Sequence, residues 1–126
     1  MGDMDGRKPI KSYRDLNVWV KAMDLAERVY TTTRTWPKEE LYGLTSQIRR
    51  AAVSIPSNIA EGHGRVSTKE YLHHLSIARG SLLELETQVL LAQRLDYSPK
   101  EVTQELLARA DEISRMLMRL YQSLSK

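Results

Sequence analysis

The stretch LTSQIRRAAVSIPSNIAEGHG, residues 44–64, combines a helical pattern with an internal proline and an abrupt glycine-containing stop. At about 100° per residue, six of its apolar side chains fall on a single narrow helical stripe, together with Leu41 just before it. The stripe consists of Leu41, Leu44, Ile48, Ala51, Ala52, Ile55 and Ile59. The pattern predicts an amphipathic helix from about Lys38 to Glu61, ended by Gly62-His63-Gly64.

Pro56 decides whether this helix continues or breaks. Its ring has no N–H to donate to the carbonyl of Ala52 and crowds that carbonyl, so the helix must bend or restart there. Because Ile55 and Ile59 keep the same stripe in phase across the proline, we expect a continuous but kinked helix. Three short polar side chains can bond the backbone groups that the proline frees: Ser54, Ser57 and Asn58.

The glycine stop raises the alternative of a phosphate-binding loop. Gly62-His63-Gly64-Arg65 lacks the G-x-x-x-x-G-K-[ST] pattern of such loops, and no predicted strand precedes it. The stop opens instead onto the N-terminus of a capped helix beside Arg65 and Lys69, which is a generic and weak anion site. We therefore interpret the stretch as structural first.

Upstream, the sequence predicts a flexible arm followed by helix one. Residues 1–14 contain two glycines, a proline and mixed charge, which is typical of a flexible terminal segment. Asp15 is a plausible N-cap for a helix that extends to about Thr35. Trp36-Pro37 ends that helix, because the residue before a proline avoids the α region.

Downstream, two S-x-x-E patterns open helices three and four. Ser67 and Glu70 form a capping box, and the helix that follows extends to about Leu95. The segment Ser98-Pro99-Lys100-Glu101 repeats the pattern with proline at the first helical position, and opens a helix to about Ser123.

Short joints between these helices favour antiparallel neighbours, so the predicted fold is all-α, an antiparallel up-and-down four-helix bundle over residues 15–126. A chain of 126 residues can form one such domain without help from metal or disulfides. The absence of cysteine excludes thiolate metal sites and cysteine nucleophiles. No apolar run approaches the ~18 residues of a membrane span, and the N-terminus lacks the apolar core of a signal peptide. We therefore expect a cytoplasmic protein with no membrane partner.

Helices one and four carry more apolar surface than a single bundle needs. Helix one has two adjacent stripes, one of Leu16, Trp19, Met23, Ala26 and Tyr30 and another of Val18, Ala22, Leu25, Val29 and Trp36. The stripe of helix four consists of Val102, Leu106, Ala110, Ile113, Leu117, Leu120 and Leu124, widened by Leu107, Met118 and Tyr121. Monomers rarely expose large contiguous apolar patches, so we predict a homo-oligomer with helices one and four at the interface. The alternative is that these are scattered apolar side chains on a monomer.

Helix three places charges inside its predicted apolar stripe of Leu72, Leu75, Ala78, Leu82, Val89 and Leu90. Arg79 and Glu86 lie two turns apart, ~10 Å, too far for direct contact, and charges near a core need partners. Arg49 borders the stripe of helix two and could reach Glu84 or Glu86. We interpret Arg49, Arg79, Glu84 and Glu86 as an interhelical salt-bridge ladder, and the alternative is a catalytic cluster.

Three segments carry a resemblance to a known family: SYRDLNVWVKAMDLAERVY (12–30), LTSQIRRAAVSIPSNIAEGHGR (44–65) and SLLELETQ (81–88). They resemble the bacterial four-helix-bundle proteins encoded within intervening sequences of 23S ribosomal RNA genes. They are similar also to the accessory variability determinant of diversity-generating retroelements. The resemblance implies a homopentameric barrel of bundles without enzymatic activity. In the retroelement branch it also implies binding to nucleic acid and to a reverse transcriptase.

The resemblance and the basic side chains together favour an oligomeric, nucleic-acid-binding scaffold, and the resemblance implies ribosomal or retroelement RNA as the ligand. A net charge of +3 is modest for such a protein, but a symmetric ring would repeat each weak patch. The predicted phosphate contacts are Arg50, Arg65, Lys69 and His73, with Arg115 and Arg119 near the end of helix four. The alternative for each of them is an ordinary solvated surface charge.

Two other functions remain open on sequence grounds. A protein-interaction adaptor, for example an accessory subunit of a reverse transcriptase, would use the same ring surface without direct RNA affinity. An enzyme is disfavoured, because His73 and His74 are adjacent and their side chains point about 100° apart on a helix, so they cannot chelate one metal. The sequence also lacks H-E-x-x-H and a nucleophile elbow. We predict no catalytic residue, no metal and no cofactor.

Overall fold

The computed structural model describes residues 9–126, and within that range the chain forms four α-helices and no strand. The helices are α1 (Asn17–Thr33), α2 (Leu44–His63), α3 (Thr68–Arg94) and α4 (Lys100–Leu124). Short 3-10 turns at Tyr13–Asp15 and Lys38–Glu40 precede α1 and α2. The predicted all-α class with four helices is confirmed. Most of the predicted arm lies outside the described residues.

Each helix buries one apolar stripe in a common core. The largest enclosed side chains come from all four helices and include Leu25, Ile48, Ile55, Ile59, Leu75, Leu82, Leu85, Leu106, Ile113 and Leu117. Burying a side chain of this size contributes about 1.5–3 kcal/mol, so the shared core is the main stabilising feature of the fold. Of the two stripes on helix one, the stripe that contains Val18, Leu25 and Val29 faces this core.

The chain enters α1 through a capped 3-10 turn rather than through the predicted N-cap. The backbone N–H of Arg14 donates to Ser12 Oγ at 3.1 Å. The backbone N–H groups of Lys11 and Ser12 donate to Asp15 Oδ2 at 2.9 and 3.2 Å. Asp15 therefore caps the preceding turn, and α1 begins at Asn17 instead of Asp15.

The start of α2 lies later than predicted, at Leu44 instead of Lys38, because Glu40 organises a turn there. The Leu44 N–H donates to Glu40 Oε1 at 3.0 Å, and the Tyr97 hydroxyl donates to Glu40 Oε2 at 2.7 Å. These two hydrogen bonds, the one from Tyr97 first, lower the pKa of the Glu40 carboxyl. Leu41 precedes the helix and is exposed, so its predicted place in the core stripe is wrong.

The helix continues through Pro56, as predicted. Asn58 Nδ2 donates to the carbonyl of Ser54 at 2.9 Å, two residues beyond the carbonyl of Ala52 that the proline leaves without its N–H donor. Ser81 Oγ on α3 donates to Ser54 Oγ at 2.9 Å. The polar side chains around the proline therefore also hold α2 against α3.

The joint between α2 and α3 confirms Ser67 as the N-cap of α3, but Glu70 bonds the Ser67 hydroxyl rather than its backbone N–H, so only half of the predicted capping box forms. The Glu70 N–H donates to Ser67 Oγ at 3.1 Å, and the Ser67 hydroxyl donates to Glu70 Oε1 at 3.2 Å. Just before the joint, α2 approaches α3 closely at the buried Gly62. A Cβ at Gly62 would lie 2.9 Å from Tyr71 Cδ1, which leaves no room for a side chain there.

Ser98 does not cap α4, contrary to the sequence pattern. The indole N–H of Trp36 donates to Ser98 Oγ at 3.0 Å, and both residues are buried. A buried indole N–H needs an acceptor, and this requirement takes the serine away from the helix terminus. The helix begins at Lys100, directly after Pro99.

The surplus apolar surface lies on α1 and α3, and the prediction that α4 shares it is wrong. Among the described residues, α4 contributes no exposed large hydrophobic side chain. Its extra apolar residues, Leu107, Met118 and Tyr121, are half-buried, and two of them line the groove against α3. On α1 the exposed set is Val20, Met23 and Tyr30.

On α3 the buried stripe is rotated relative to the predicted one. Leu85 is fully buried, whereas Leu90 is 48% exposed. The exposed apolar side chains of this helix are Ile77, Leu83, Leu90 and Leu91, and Leu95 follows directly at its end. The outward face of α3 therefore carries a leucine-rich surface that the single chain does not cover.

Candidate nucleic-acid interface

Three of the predicted phosphate contacts lie together at the α2–α3 joint. Arg65, Lys69 and His73 are all exposed. Arg65 pairs with Glu61 at 3.7 Å, a contact between two exposed side chains that water weakens. Within residues 9–126, neither Lys69 nor His73 forms an ion pair. These two side chains are thus available to an anion in solution.

Partly buried polar contacts between α2 and α3 position this joint. His74 Nδ1 lies 2.9 Å from Asn58 Oδ1 and 3.9 Å from Glu61 Oε2. His63 Nδ1 lies 3.4 Å from the Tyr71 hydroxyl, and burial raises the pKa of that hydroxyl. These contacts hold α2 on α3, so the exposed cations above them lie on a fixed surface.

The two predicted contacts on α4 differ in their surroundings. Arg115 pairs with Asp111 at 3.1 Å. Arg119 is exposed and forms no ion pair with any residue that the structure describes. One turn separates the two arginines, so they offer a matched comparison of a paired and an unpaired cation on the same helix.

Arg50 lies apart from the joint, in an open groove of about 410 Å³ formed by α1, α2 and the turn before α2. Eleven residues of helix, roughly 16 Å at 1.5 Å per residue, separate Arg50 from Glu61 at the joint. The groove is lined by Tyr30, Leu41, Tyr42, Ser46, Arg49 and Arg50. The six predicted basic residues therefore do not form one patch on a single chain.

Arg49 has a different role from the one predicted. Its Nε donates to Thr33 Oγ1 at 2.9 Å, and its guanidinium lies over the Tyr30 ring, 4.6 Å from the centroid. It pairs with neither Glu84 nor Glu86. The helical projection placed Arg49 correctly at the border of its stripe, but the neighbour on that border is α1 rather than α3.

The remaining members of the predicted salt-bridge ladder also lack partners within the chain. Arg79 and Glu84 are exposed and Glu86 is half-buried, and none of them forms an ion pair in the described part of the chain. Arg79 lines a groove of about 220 Å³ between α3 and α4, beside Tyr121. These charges lie at the edge of the apolar stripe and reach water, so the ladder is wrong for a single chain.

A bidentate ion pair that sequence reasoning missed joins α1 to α4. Arg28 Nε and Nη2 donate to Glu105 Oε2 and Oε1 at 2.8 and 2.9 Å, and Arg109 Nε donates to the same carboxylate at 3.1 Å. The hydrogen bond from Arg28 is the main cause of the lowered pKa of Glu105. The i, i+4 spacing of Glu105 and Arg109 was a visible signal, but the partner on α1 was not.

Comparison with known proteins identifies the family. The sequence profile of the 23S rRNA-intervening sequence protein matches residues 14–119, which is most of the chain. The chain belongs to the 23S rRNA-intervening sequence protein family. A search of curated proteins finds no match.

A solved structure from this group shares the fold. It is the crystal structure of a protein with unknown function from the S23 ribosomal protein family of Bacteroides thetaiotaomicron, with a TM-score of 0.78 and 24% sequence identity. The match covers 83% of this chain and 95% of the other. At this identity the similarity supports the helical fold of the intervening-sequence protein and carries nothing about its ligands.

Within residues 9–126, no three His, Asp or Glu side chains come close enough together to hold a metal ion. No helix in that range is long and apolar enough to cross a membrane. The exposed side chains of residues 9–126 include cations without ion-pair partners and the leucine-rich face of α3.

Proposed function

We propose that this protein is a non-enzymatic homo-oligomeric scaffold that binds RNA through exposed basic side chains. The support is strongest at Arg50, Lys69 and Arg119, which are exposed and form no ion pair with any described residue. A cation already paired within the chain has part of its charge neutralised by the carboxylate, whereas these three do not. The name of the family refers to 23S rRNA, which makes ribosomal RNA the first ligand to test.

A salt titration of RNA binding tests the class of function. Three neutralised phosphates on single-stranded RNA give a slope of about −2 in a plot of log K against log salt. Arg119→Gln should make this slope less negative by about 0.7, and the matched change Arg115→Gln should change it less, because Arg115 is paired with Asp111. Affinity that does not respond to salt, or no binding at ~50 mM salt, would reject RNA binding.

Self-assembly is the second part of the proposal, and the outward face of α3 supports it. Ser76, Gly80, Leu83, Thr87, Leu90 and Arg94 follow the alternating three- and four-residue spacing of a coiled-coil seam. Leu83 is 56% exposed, and a Cβ at Gly80 would meet no atom within 4 Å. A glycine inside a helix costs about 1 kcal/mol relative to alanine, and nothing in the single chain compensates for it at Gly80.

A second copy of the chain fits this seam, because the small residues at one end of the seam allow close approach of another helix. The assembly that we propose is a ring of antiparallel four-helix bundles, and the family resemblance of the sequence implies five subunits. Sedimentation at micromolar concentration tests it. A compact particle of 14.5 kDa would refute self-assembly.

The exposed leucines of α3 also suit a protein partner, which favours an adaptor as the second candidate function. An accessory subunit of a reverse transcriptase would be of this kind. Pull-down of a polymerase that survives nuclease treatment, together with no direct RNA affinity, would support the adaptor over the RNA-binding scaffold.

A further inference from the structure

Tyr42 is the most exposed aromatic side chain in the described part of the chain, at 93% of its free surface. It is nevertheless held on a fixed turn. The Gly43 N–H donates to the carbonyl of Glu40 at 2.9 Å, and the Glu40 carboxylate is anchored by the Leu44 N–H and the Tyr97 hydroxyl. The ring is therefore presented to solvent from a rigid base and makes little contact with its own chain.

The groove beside Tyr42 holds a preorganised cation. The guanidinium of Arg49 is fixed by the Thr33 hydroxyl at 2.9 Å and by the Tyr30 ring. Arg50 follows it on α2, exposed and without an ion pair within residues 9–126. Both arginines line the groove, together with the Ser46 hydroxyl. Holding Arg49 in place reduces the conformational entropy that an incoming anion would otherwise have to remove.

Charge on this surface favours an anionic ligand. From Leu41 to Ala60 the sequence contains two arginines and no acidic residue. Both oxygens of the nearest carboxylate that organises the turn, Glu40, accept hydrogen bonds from Leu44 and Tyr97. None of the residues that line the groove is acidic. A phosphate that approaches Arg49 and Arg50 therefore meets no carboxylate among the residues that line the groove.

We propose that this groove binds single-stranded RNA, with one base stacked on Tyr42 and the adjacent phosphates on Arg49 and Arg50. The proposal rests on the RNA binding proposed above, and it specifies where the RNA binds and that the bound RNA is single-stranded. Aromatic rings beside a cationic track are the usual means of holding single strands, because every base has a face that can stack. A base inside a duplex cannot reach Tyr42, so paired RNA should bind this groove weakly.

RNA explains this groove better than a protein partner does. Tyrosine and arginine are common in protein interfaces as well, but such interfaces bury an apolar centre, and Leu41 is the one aliphatic residue that lines this groove. The leucine-rich face of α3 has the opposite character. The two surfaces share no residue, so occupation of one leaves the other open.

The test uses the full chain and an unstructured RNA of about 12 nucleotides, within the usual site size of single-strand binders. A 2-aminopurine in this RNA reports stacking through quenching of its fluorescence, and a terminal fluorescein reports affinity through anisotropy. Tyr42→Ala should weaken binding by about 5- to 150-fold and abolish the quenching, as expected for the loss of one stacked base. Tyr42→Phe keeps the ring and should bind like the unmodified chain, whereas Tyr42→Leu should not.

Val66→Ala is the control, because Val66 is fully exposed at the distant α2–α3 joint. If the unmodified chain binds no RNA, the proposed function fails together with the groove. If it binds and Tyr42→Ala keeps both affinity and quenching, the groove assignment alone is overturned. The assignment also fails if a duplex of the same sequence binds as tightly, or if Tyr42→Ala changes the sedimentation coefficient, since the groove would then be a contact between subunits.

Discussion

Replacement of Gly62 by alanine should destabilise the fold, although alanine is the better helix former. The Cβ of the new residue would lie 2.9 Å from Tyr71 Cδ1, 3.0 Å from His74 Cβ and 3.2 Å from the Tyr71 carbonyl oxygen. Carbon atoms pack best at about 3.5–4.0 Å, so α3 would have to move away by roughly half an ångström or more. The Tyr71 ring can rotate aside, but the His74 Cβ and the backbone carbonyl move only with the helix.

The magnitude follows from two opposing effects. Overpacking of a tight contact costs about 1–3 kcal/mol, and the fixed backbone atoms place Gly62 in the upper part of that range. Alanine returns up to about 1 kcal/mol of helix propensity, less in the last turn of a helix. The expected net loss is about 1–2 kcal/mol in the free energy of unfolding, or a fall in Tm of roughly 4–8 °C.

Gly64 provides the matched control two residues later. Its φ of −79° suits alanine, and a Cβ there would meet only the carbonyl oxygens of Ala60 and Glu61, both at 3.6 Å. Gly64→Ala should therefore be neutral or stabilising by up to about 1 kcal/mol. Urea unfolding followed by circular dichroism, at one fixed protein concentration, measures both variants. If Gly62→Ala proves as stable as Gly64→Ala, the close approach of α2 and α3 is not real.

Three further predictions concern single positions: two hydrogen-bonded side chains and one exposed glycine. Ser98→Ala should cost about 1–3 kcal/mol in urea unfolding by leaving the buried Trp36 indole N–H without an acceptor, and Trp36→Phe in the same background should recover part of that loss; equal costs in both backgrounds would contradict the bond. Glu105→Gln should lower the stability at pH 7 by less than about 1 kcal/mol, because the pair with Arg28 is partly exposed. The pKa of Glu105 is lowered on folding. The difference in unfolding free energy between the unmodified chain and Glu105→Gln should therefore be fully present above pH 4.5, the ordinary pKa of glutamate, and should vanish as the pH falls through the pKa of the folded state. A stability difference that persists in acid would argue against the ion pair. Gly80→Arg should reduce the sedimentation coefficient without loss of helicity, and an unchanged coefficient would remove the α3 seam from the assembly.

The existence of the four helices could be predicted from the sequence because their signals are local. Apolar side chains at helical spacing, the Ser67 N-cap and the glycine after α2 all act within a few residues, and each predicts its element without knowledge of the rest of the chain; α2 ends at His63 with Gly64 as its C-cap, two residues later than predicted. The continuation through Pro56 belongs to the same class, since the stripe stays in phase on both sides of it.

Predictions failed where a side chain forms its hydrogen bond with a residue that is distant in the sequence. Ser98 has the sequence pattern of an N-cap, but its hydroxyl oxygen accepts a hydrogen bond from the indole N–H of Trp36, 62 positions earlier in the chain. Arg49 has the position of a charge between helices, yet the helix that it meets is α1. A helical projection gives the direction of a side chain but not the neighbour in that direction, and for Arg49 that neighbour decides the role.

The candidate site was only partly visible for a related reason. Cations can be counted in a sequence, but whether each one is paired depends on geometry, and this separates Arg119 from Arg115. Tyr42 gives no periodic signal because it precedes the helix, and an isolated tyrosine in a sequence is buried as often as it is displayed. Its exposure follows from the turn that Glu40 organises, and the partner that completes this turn, Tyr97, lies 57 residues away.

The separation of the two exposed surfaces makes assembly and RNA binding energetically distinct, so one variant can tell them apart. In Gly80→Arg the groove around Tyr42 is untouched, so a short RNA should still quench on stacking with nearly its original affinity per site. A longer RNA that spans several subunits gains from effective concentration, commonly by 10²–10⁴-fold, and that gain should disappear when the subunits separate. If short and long RNA lose affinity equally, the groove depends on the interface between copies, and the two surfaces are one. If only the long RNA is affected, a ring of individually weak grooves accounts for RNA binding by a chain whose net charge is only +3.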